Sequence, residues 1–507
     1  MLRSKTRAQD RAYDPEYRQR ILTAAARWGV TVAGTPACPG HSAPLDFLTA
    51  WFYDRPSLSL VHGPRGGGKS FLRALATHFD CICHPAHSTR ILGGSLAQSK
   101  QVYQALRRFH AQAPEMYNTF TASRAHYITE SDVEILAASS KSVRGPHVPT
   151  LVLDEVDEIT PDLREAAMGM CMAIEGVPGM VSMTSTWHRV SGPMANLIEL
   201  ANSGSFPLWR FCAFEVLETC PAERSGKSLE HCPACPLVQW CHDTLDGVPR
   251  AKRSAGHYTI DSLIQKVQAT SRRTFEADYL CMGPKSEGLW FPEFSTANVN
   301  ESLAYDPRLE LHLAVDPGAT TGAVFFQIAR SYDGATGQDR HEVRVLADYL
   351  CENKPAEQVA QDLRELARFR FNDRIDRFTI DSAGSARTAV GPRVTDLYAA
   401  GGLRNPGYWP KYAGSVADQL ALLESLVRTA DGSKRLMIHP ACKPTTQAFE
   451  NYRRAKRGGQ WQDYPEDPQH PHEDLMDALR GGVASALPHG RFATPGSLRK
   501  VQGSYLV

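Results

Sequence analysis

The sequence predicts an α/β protein whose first domain is built around a parallel β-sheet with helices on both faces. From Leu58 to about Gly204, short apolar runs such as LSLVH, RILGGS and TLVLDE alternate with helical stretches such as SKQVYQALRRFHAQ. Short runs of Val, Ile and Leu spaced by helices are typical of strands in such a sheet. A second α/β pattern starts at Leu309 and runs to about Leu487. We therefore expect two successive α/β domains.

Length and composition agree with this division. With 507 residues the chain is too long for one compact core. A hydrophobic content of 42% and a charged content of 22% are typical of an ordinary globular protein. The net charge is +1, so any nucleic-acid binding has to come from local basic surface. Without a long apolar run or a signal-peptide stretch, the chain is expected in the cytosol, where its 12 cysteines would be reduced or bound to metal.

Changes in composition set the predicted boundaries. The segments are a helical and loop extension at residues 1–50, the first α/β domain at 51–211, a lid and linker region with a four-cysteine insert (220–241) at 212–290, a linker at 291–308, the second α/β domain at 309–487 and a flexible tail at 488–507.

The segment GPRGGGKS is a complete P-loop motif between a predicted strand and a predicted helix. Its glycines let backbone N–H groups turn inward around phosphates at a helix N-terminus. Lys69 is expected to reach the β- and γ-phosphates of ATP, and the Ser70 hydroxyl to bind Mg²⁺. A glycine-rich turn without a ligand is the alternative. The predicted nucleotide-binding residues of the loop are Gly63, Pro64, Arg65, Gly66, Gly67, Gly68, Lys69 and Ser70.

An acidic strand and a polar strand complete the predicted ATP site. In PTLVLDE, Asp154 would hold Mg²⁺ through water and Glu155 would act as general base on the attacking water. The alternative for these two acids is that they cap a helix. Three hydroxyl residues after GMVSM would couple loss of the γ-phosphate to DNA movement, and a plain helix cap is an equal alternative for them. That triplet is Thr184, Ser185 and Thr186. Arg65 or Arg144 would stabilise charge in hydrolysis, with surface arginine as the alternative.

Acidic residues recur at three places in the second domain. Asp316 ends the strand LHLAVD, Asp381 ends FTID, and Asp474 and Asp477 lie near the start of a helix. Together they can hold two Mg²⁺ or Mn²⁺ ions roughly 4 Å apart, as phosphodiester-cleaving sites do. Turn and cap roles are the alternatives. Asp477 is the preferred third ligand because the helix interior gives it no capping role; Asp474 ranks second and His472 last.

Four cysteines between the domains predict a structural metal site. Their spacing, with a CPAC knuckle, fits a tetrahedral zinc site without an open position for a reactive water. An Fe–S cluster, replacement of one thiol by His231 or His242, and four unconnected thiols are the alternatives. The remaining cysteines are expected to be core or surface thiols. The four predicted ligands are Cys220, Cys232, Cys235 and Cys241.

Basic stretches are candidate contacts for DNA phosphates, with a solvated charged face as the alternative. Nothing indicates base-specific recognition. The candidates are Arg250, Lys252, Arg253, Arg272, Arg273, and Arg453, Arg454, Lys456 and Arg457 in NYRRAKRGGQW.

These motifs, in this order, resemble the large terminase subunit of tailed bacteriophages. The resemblance rests on GPRGGGKS, ILGGSLAQS, ILAASSKSVRGPHVPTLVLDE followed by TST, GLWFPEF, and DPG…IDSAG…HEDLMDAL, and spans Leu58 to Leu487. It implies an additional-strand, RecA-like P-loop ATPase followed by an RNase H-like nuclease. The cysteine insert departs from the simpler region that many members have between these domains.

The resemblance also implies a function and partners. ATP hydrolysis would drive double-stranded DNA into a prohead, and a two-metal endonuclease would cut the concatemer. The chain would form a ring, pentameric by resemblance, on the portal protein, and act with a small terminase subunit. Asp316, Asp381 and Asp477 would bind the nuclease metals, and Arg144 would act on a neighbouring subunit's ATP.

The implied location is the cytoplasm of the infected bacterial host, with a transient stay at the prohead portal and absence from the mature virion. A helicase-nuclease of DNA repair or mobile-element processing is the alternative function, but a two-lobed helicase needs a second motor domain where the nuclease pattern lies. A non-enzymatic assembly protein is a third class. Intact Lys69, Ser70, Asp154 and Glu155 argue against that third class.

Overall fold

Two compact units make up the protein. The first comprises Met1–Ile264 and Arg273–Lys285, and the second comprises Gln265–Arg272 and Ser286–Val507. The computed structural model describes residues 11–139, 142–143, 147–174, 177–187, 192–221, 232, 235–242, 248–284, 288–333, 338–381, 392–458 and 460–487.

An eight-stranded sheet forms the centre of the first unit. Its order is β3-β4-β5-β2-β6-β7-β1-β8, and the six strands from β5 to β8 are parallel, whereas β4 is antiparallel to both β3 and β5. Strand β7 lies between β1, which leads into the P-loop, and the acidic strand β6, which is the additional strand expected from the resemblance. The strands are β1 (Leu58–His62), β2 (Ser88–Gly93), β3 (Tyr117–Phe120), β4 (Arg124–Tyr127), β5 (Asp132–Ile135), β6 (Thr150–Asp154), β7 (Met180–Ser185) and β8 (Leu208–Arg210).

Both faces of this sheet are covered, as its continuous apolar strands require. In β6, Leu151 and Leu153 belong to one apolar cluster, whereas Val152 points to the other cluster. Successive side chains of a strand face opposite sides, so an all-apolar strand needs cover on both. The helices are α1 (Pro15–Arg27), α2 (Pro44–Tyr53), α3 (Lys69–Cys83), α4 (Leu96–Gln112), α5 (Pro161–Met168), α6 (Pro193–Asn202), α7 (Ala213–Val216) and α8 (Val238–Cys241), with α9 (Ile260–Ala269) and α10 (Arg272–Asp278) where the chain passes between the units.

A mixed six-stranded sheet forms the centre of the second unit. Its order is β13-β12-β9-β10-β11-β14; β9, β10 and β11 are antiparallel neighbours, β12 is parallel to β9 and to β13, and β14 is parallel to β11. The strands are β9 (Leu311–Asp316), β10 (Thr320–Asp333), β11 (Gln338–Glu352), β12 (Arg377–Ile380), β13 (Gly407–Tyr408) and β14 (Leu436–Ile438), and a separate hairpin contains β15 (Arg454–Arg457) and β16 (Gln460–Pro465).

Helices also cover both faces of the second sheet. In β9, Leu313 and Val315 belong to one apolar cluster and Ala314 to the other. A Cβ atom added to Gly322 would lie 2.5 Å from the Asp474 carbonyl oxygen, so this glycine lets the last helix approach the sheet. The helices are α11 (Ala356–Phe371), α12 (Val394–Ala400), α13 (Ser415–Val427), α14 (Lys443–Asn451) and α15 (His472–Ala486).

The prediction of two successive α/β sheets is confirmed. Within the described part of the chain, none of the helices has the length and apolarity needed to span a bilayer.

Candidate functional site

The P-loop connects β1 to α3 and has the shape of a phosphate cradle. Gly66 and Gly68 have φ angles of +72° and +80°, which glycine adopts without steric cost. Gly68 is the N-cap of α3. A Cβ atom added to Gly63 would lie 2.8 Å from Lys69 Cγ. The loop therefore places backbone N–H groups at a helix N-terminus, where anions bind.

Lys69 is buried, with its ammonium group inside the site. Its Nζ atom donates to Thr186 Oγ1 at 2.7 Å and to the Pro64 carbonyl at 3.2 Å. The same atom lies 3.5 Å from Glu155 Oε1. A buried charge has to be paired. The predicted phosphate-binding lysine is thus held at the loop by residues of three different segments.

Asp154 and Ser70, the predicted magnesium-binding pair, are in direct contact. The Ser70 hydroxyl donates to Asp154 Oδ2 at 2.8 Å, and the Thr184 hydroxyl donates to Asp154 Oδ1. Burial and the charge of Glu155 together raise the pKa of Asp154 to about 6, whereas both hydroxyls and Lys69 oppose the shift. A buried carboxylate beside a serine hydroxyl fits Mg²⁺, which prefers oxygen ligands.

Glu155 follows β6 in an unusual backbone conformation. Its φ angle is +51°, a region that costs a residue with a side chain about 1–3 kcal/mol and that is concentrated at functional sites. Ser185 Oγ donates to Glu155 Oε2 at 3.3 Å. The carboxylate is only partly buried, with 26% of the side chain exposed, so water can reach it.

The three predicted coupling residues are buried, and each contacts a different part of the ATP site. Thr184 bonds Asp154, Ser185 bonds Glu155, and Thr186 donates to the Gly63 carbonyl at 3.1 Å. Thr184 and Ser185 lie inside β7 rather than at the start of a helix. The contacts therefore do not fit a plain helix cap.

The structure describes only one of the two arginines predicted to stabilise charge during hydrolysis. Arg65 Nη1 lies 3.5 Å from Asp278 Oδ2, and the Arg65 backbone N–H donates to the Asp278 carbonyl at 2.8 Å. Arg65 thus pairs within its own unit. Arg144 lies outside the described residues.

A cavity of about 440 Å³ adjoins the P-loop. The sequence does not reveal two aromatic neighbours of the loop: the His257 ring, which lines the cavity, lies 3.0 Å from where a Cβ atom on Gly68 would be, and Tyr258 lies 3.1 Å from the same point on Gly66. Burial lowers the pKa of His257, and a hydrogen bond with the Gly66 backbone opposes this shift. No motif in the sequence marks this pair. Residues lining the cavity include Gly67, Gly68, Phe71, Val30, Val32 and His257.

In the second unit, the four predicted acids converge. Asp316 ends β9, and Asp381 follows the parallel neighbour β12, with Val315 opposite Ile380. Burial and the nearby charges of the other three acids together raise the pKa of Asp316 to about 8, against the opposing effect of Arg480. Those three acids are, in decreasing order of effect, Asp477, Asp381 and Asp474. Several carboxylates around a buried one fit divalent cations, which would offset their repulsion.

Cationic side chains pair with the outer acids. Arg480 donates to both oxygens of Asp477 at 2.8 and 2.7 Å. Lys411 Nζ lies 2.6 Å from Asp381 Oδ1. The sequence does not predict either cation at the acidic site, because only the fold brings Arg480 and Lys411 close to these acids.

Asp474 belongs to a second group. Its Oδ2 atom lies 2.8 Å from His470 Nδ1, and Glu473 Oε1 lies 3.0 Å from His470 Nε2. Asp477 raises the pKa of Asp316 more than Asp474 does, which agrees with the preference for Asp477 as the third ligand. Among the described residues, His472 is in neither metal-competent group.

The four insert cysteines are neighbours without tight metal-binding geometry. Burial, together with the charges of the other three thiols, raises the pKa of Cys241 to about 11. The groups of described residues whose ligand atoms lie within 4.8 Å of one another do not include this set. His242 is exposed, and His231 lies outside the described residues. The zinc site in the insert stays a prediction.

Two predicted DNA contacts have structural roles instead. Arg454 is buried, lies 3.1 Å from Glu424 and 3.3 Å from Asp463, and stacks on Trp290 at 3.8 Å. Lys252 Nζ donates to the carbonyl of Cys220 at 2.6 Å. The exposed predicted DNA contacts here are Arg453, directly before β15, and Lys456 and Arg457 in β15.

Comparisons with known proteins agree with this architecture. No protein-family model matches the chain, and no curated protein matches it. The large terminase of a thermophilic bacteriophage is similar in structure, with 13% identity over 87% of this chain and 98% of that chain and a TM-score of 0.53. The same phage protein in complex with ATP-gamma-S has 11% identity over 86% of this chain and 97% of that chain, with a TM-score of 0.50. The chain thus has the fold of a bacteriophage large terminase, with a RecA-like P-loop domain that contains an additional strand followed by an RNase H-like domain.

Proposed function

We propose that this protein is a viral DNA-packaging motor and endonuclease. The observation that carries the proposal is that one chain with the terminase fold has both a complete P-loop site and four convergent carboxylates. ATP hydrolysis would move double-stranded DNA into a prohead, and metal-dependent cleavage would separate the genome from its concatemer.

In the ATPase, each side chain has a position suited to one task. Lys69 binds the β- and γ-phosphates beside the glycine loop. Ser70 and Asp154 would hold Mg²⁺, which would neutralise the charge that develops on the phosphates during hydrolysis. Glu155 orients the attacking water and accepts its proton. Its contacts with Ser185 and Lys69 fix the carboxylate at the edge of the site.

Coupling to DNA movement would go through β7. Thr186 contacts Lys69 and the P-loop, so a change in phosphate occupancy changes the hydrogen bonds of this residue. Ser185 contacts the proposed base. Strand β7 is therefore in contact with both the phosphate-binding and the water-activating groups.

In the nuclease, Asp316, Asp381 and Asp477 would bind Mg²⁺ or Mn²⁺. When bound, two such ions stabilise the attacking and leaving oxygens of the phosphodiester. Arg480 keeps the Asp477 carboxylate in one orientation through its paired hydrogen bonds. Lys411 is placed to attract a DNA phosphate toward Asp381.

The partners follow from the same proposal. A homo-oligomeric ring, pentameric by resemblance, would act with a portal protein and a small terminase subunit in the cytoplasm of the infected host. Arg144 would reach the ATP of a neighbouring subunit. The exposed cations of the β15–β16 hairpin would contact DNA phosphates without reading sequence.

ATP-driven DNA uptake into matching empty proheads tests the proposal. Wild-type protein should protect DNA from added nuclease, Lys69→Ala should not, and Asp316→Asn should package DNA of preset length without cutting concatemers. Strand separation of duplex DNA without uptake would favour the helicase-nuclease alternative.

A further inference from the structure

A second set of metal-ligating side chains lies in the first unit, separate from the four-cysteine insert. Cys38 and His41 belong to the loop between α1 and α2, and Cys212 and Glu215 follow β8. One ligand atom from each of the four lies within 4.8 Å of those of the others. Two thiols, an imidazole and a carboxylate are all zinc ligands, and the thiols disfavour Mg²⁺ or Ca²⁺.

The spacing fits a shared ion better than a disulfide. The two sulfur atoms of Cys38 and Cys212 lie 3.5 Å apart. Thiolates about 2.3 Å from one tetrahedral zinc ion would be roughly 3.8 Å apart, whereas a disulfide requires about 2.0 Å. His41 Nδ1 lies 3.0 Å from Glu215 Oε2. Tetrahedral ligands with bonds of about 2.0–2.1 Å would be roughly 3.3 Å apart, which is close to this separation.

Local backbone structure holds these groups in place. Cys38-Pro39-Gly40-His41 forms a tight turn in which the His41 N–H donates to the Cys38 carbonyl at 3.2 Å. Gly40 has a φ of +71°, which a turn of this kind needs and glycine supplies. The arrangement resembles the knuckles that present paired ligands in zinc sites.

Glu215 links the two segments of the cluster. Its Oε1 atom accepts the backbone N–H groups of Ala37 at 3.1 Å and Cys38 at 2.7 Å, and its Oε2 atom accepts that of Cys212 at 2.5 Å. Hydrogen bonds of this kind orient the ligating groups of a metal site. The carboxylate is therefore pre-positioned by both segments that the ion would join.

The cluster adjoins the walls of the cavity beside the P-loop. The segment from Gly29 to Ala33, just before the turn, lines that cavity, and so does Val216, which follows Glu215. The Phe211 N–H donates to the His62 carbonyl at 3.1 Å, next to the P-loop. An ion at the cluster would thus fix two walls of the cavity relative to each other.

We infer that Cys38, His41, Cys212 and Glu215 bind one structural zinc ion that fastens the N-terminal extension beside the P-loop. This inference does not depend on packaging activity, because a structural ion would be bound whatever reaction the P-loop site supports.

Zinc content of the purified full-length chain tests the inference. Wild-type protein, Cys38→Ser/Cys212→Ser and the control Cys171→Ser would be purified under reducing conditions, and zinc per chain measured by plasma mass spectrometry. Cys171 is a partly buried thiol outside both cysteine groups. The double variant should contain one zinc equivalent less than the other two proteins. Because only the difference counts, zinc in the insert does not affect the result; equal zinc contents would overturn the inference.

A second measurement covers the case in which the double variant does not fold. In wild-type protein, alkylation of Cys38 and Cys212 should be slow and become at least tenfold faster after a zinc chelator is added, as read by peptide mass spectrometry. Glu215→Gln replaces the anionic ligand with a neutral amide and should weaken zinc binding by at least the roughly 10–100-fold that loss of an orienting contact costs. A disulfide between Cys38 and Cys212 in protein purified without a chelator would contradict the inference and identify a redox pair.

Discussion

The Ser70 hydroxyl donates a hydrogen bond of 2.8 Å to Asp154 Oδ2, although the two residues are 84 positions apart. The first follows the P-loop and the second ends the acidic strand. Strand β7 between them contributes Thr184, which bonds the other Asp154 oxygen. The groups proposed to hold Mg²⁺ are therefore assembled by the sheet itself.

Glu155→Gln should abolish ATP hydrolysis and leave nucleotide binding intact. The amide keeps the size of the side chain but cannot take a proton, and loss of a general base typically costs about 10²–10⁴-fold in rate. Phosphate release and binding of a fluorescent ATP analogue measure the two effects. Glu165→Gln, an exposed acid on α5, is the control and should behave as wild type. Turnover within a factor of a few of wild type would remove Glu155 as the base.

Asp316→Asn should abolish plasmid cleavage in Mg²⁺ or Mn²⁺ and spare ATP hydrolysis. The charges of the other three acids all act on Asp316, so its substitution removes a carboxylate from the centre of the group. Asp373→Asn, at an exposed ion pair with Arg364, is the matched control. Undiminished cleavage by the Asp316 variant would contradict its role as a metal ligand.

The stability of the metal-free protein should fall as the pH rises from 6 to 8. Burial raises the pKa of Asp316 to about 8, with Asp477 adding to the shift, so the folded chain keeps a proton here that the unfolded chain has lost. The folded state thus gains stability at low pH and loses it as pH approaches 8. Thermal unfolding in a metal chelator measures this, and Asp316→Asn should reduce the decline. Added Mn²⁺ should stabilise the protein more at pH 8 than at pH 6, because protons compete with the metal; the reverse order would contradict this account.

Ser185→Ala should reduce DNA-stimulated ATP hydrolysis without weakening nucleotide binding. The hydroxyl bonds the Glu155 carboxylate but not the P-loop lysine. Ser182→Ala provides a close control, since Ser182 lies on the same strand and its buried hydroxyl has no hydrogen-bond partner within the described part of the chain. Steady-state hydrolysis with and without DNA distinguishes the two variants. Equal behaviour of both would argue against a coupling role for Ser185.

Arg454→Met and Lys456→Ala/Arg457→Ala should separate stability from DNA binding. Breaking the buried pairs of Arg454 leaves Glu424 without this cation, and such a loss typically costs about 3–5 kcal/mol. Lys456→Ala/Arg457→Ala removes two exposed cations. This variant should keep the wild-type melting temperature, bind DNA more weakly and show a smaller dependence of DNA affinity on salt. Thermal melting and salt-titrated DNA binding measure these outcomes. An unaltered melting temperature for Arg454→Met would show that the buried pairs do not stabilise the fold.

The sequence predicted the parts of the sites whose signal is local. The P-loop is contiguous, and the acids of β9 and β12 could be matched because parallel strands end at one edge of a sheet. Cys38 and Cys212 were assigned as ordinary thiols because 174 residues separate them and only the fold joins them. Arg454 was misassigned for a related reason: its pairing with Glu424 depends on packing between distant elements.

Gly322 has no functional group, yet the position of α15 depends on it. A single methyl group there would meet the backbone of Asp474 and push the start of α15 off the sheet. Both helix acids would move together, away from Asp316. If the proposed nuclease activity is correct, a random mutagenesis screen for lost cleavage would recover Gly322 alongside the carboxylates. The distance between the strand and helix backbones would then matter to cleavage as much as the proposed ligands do.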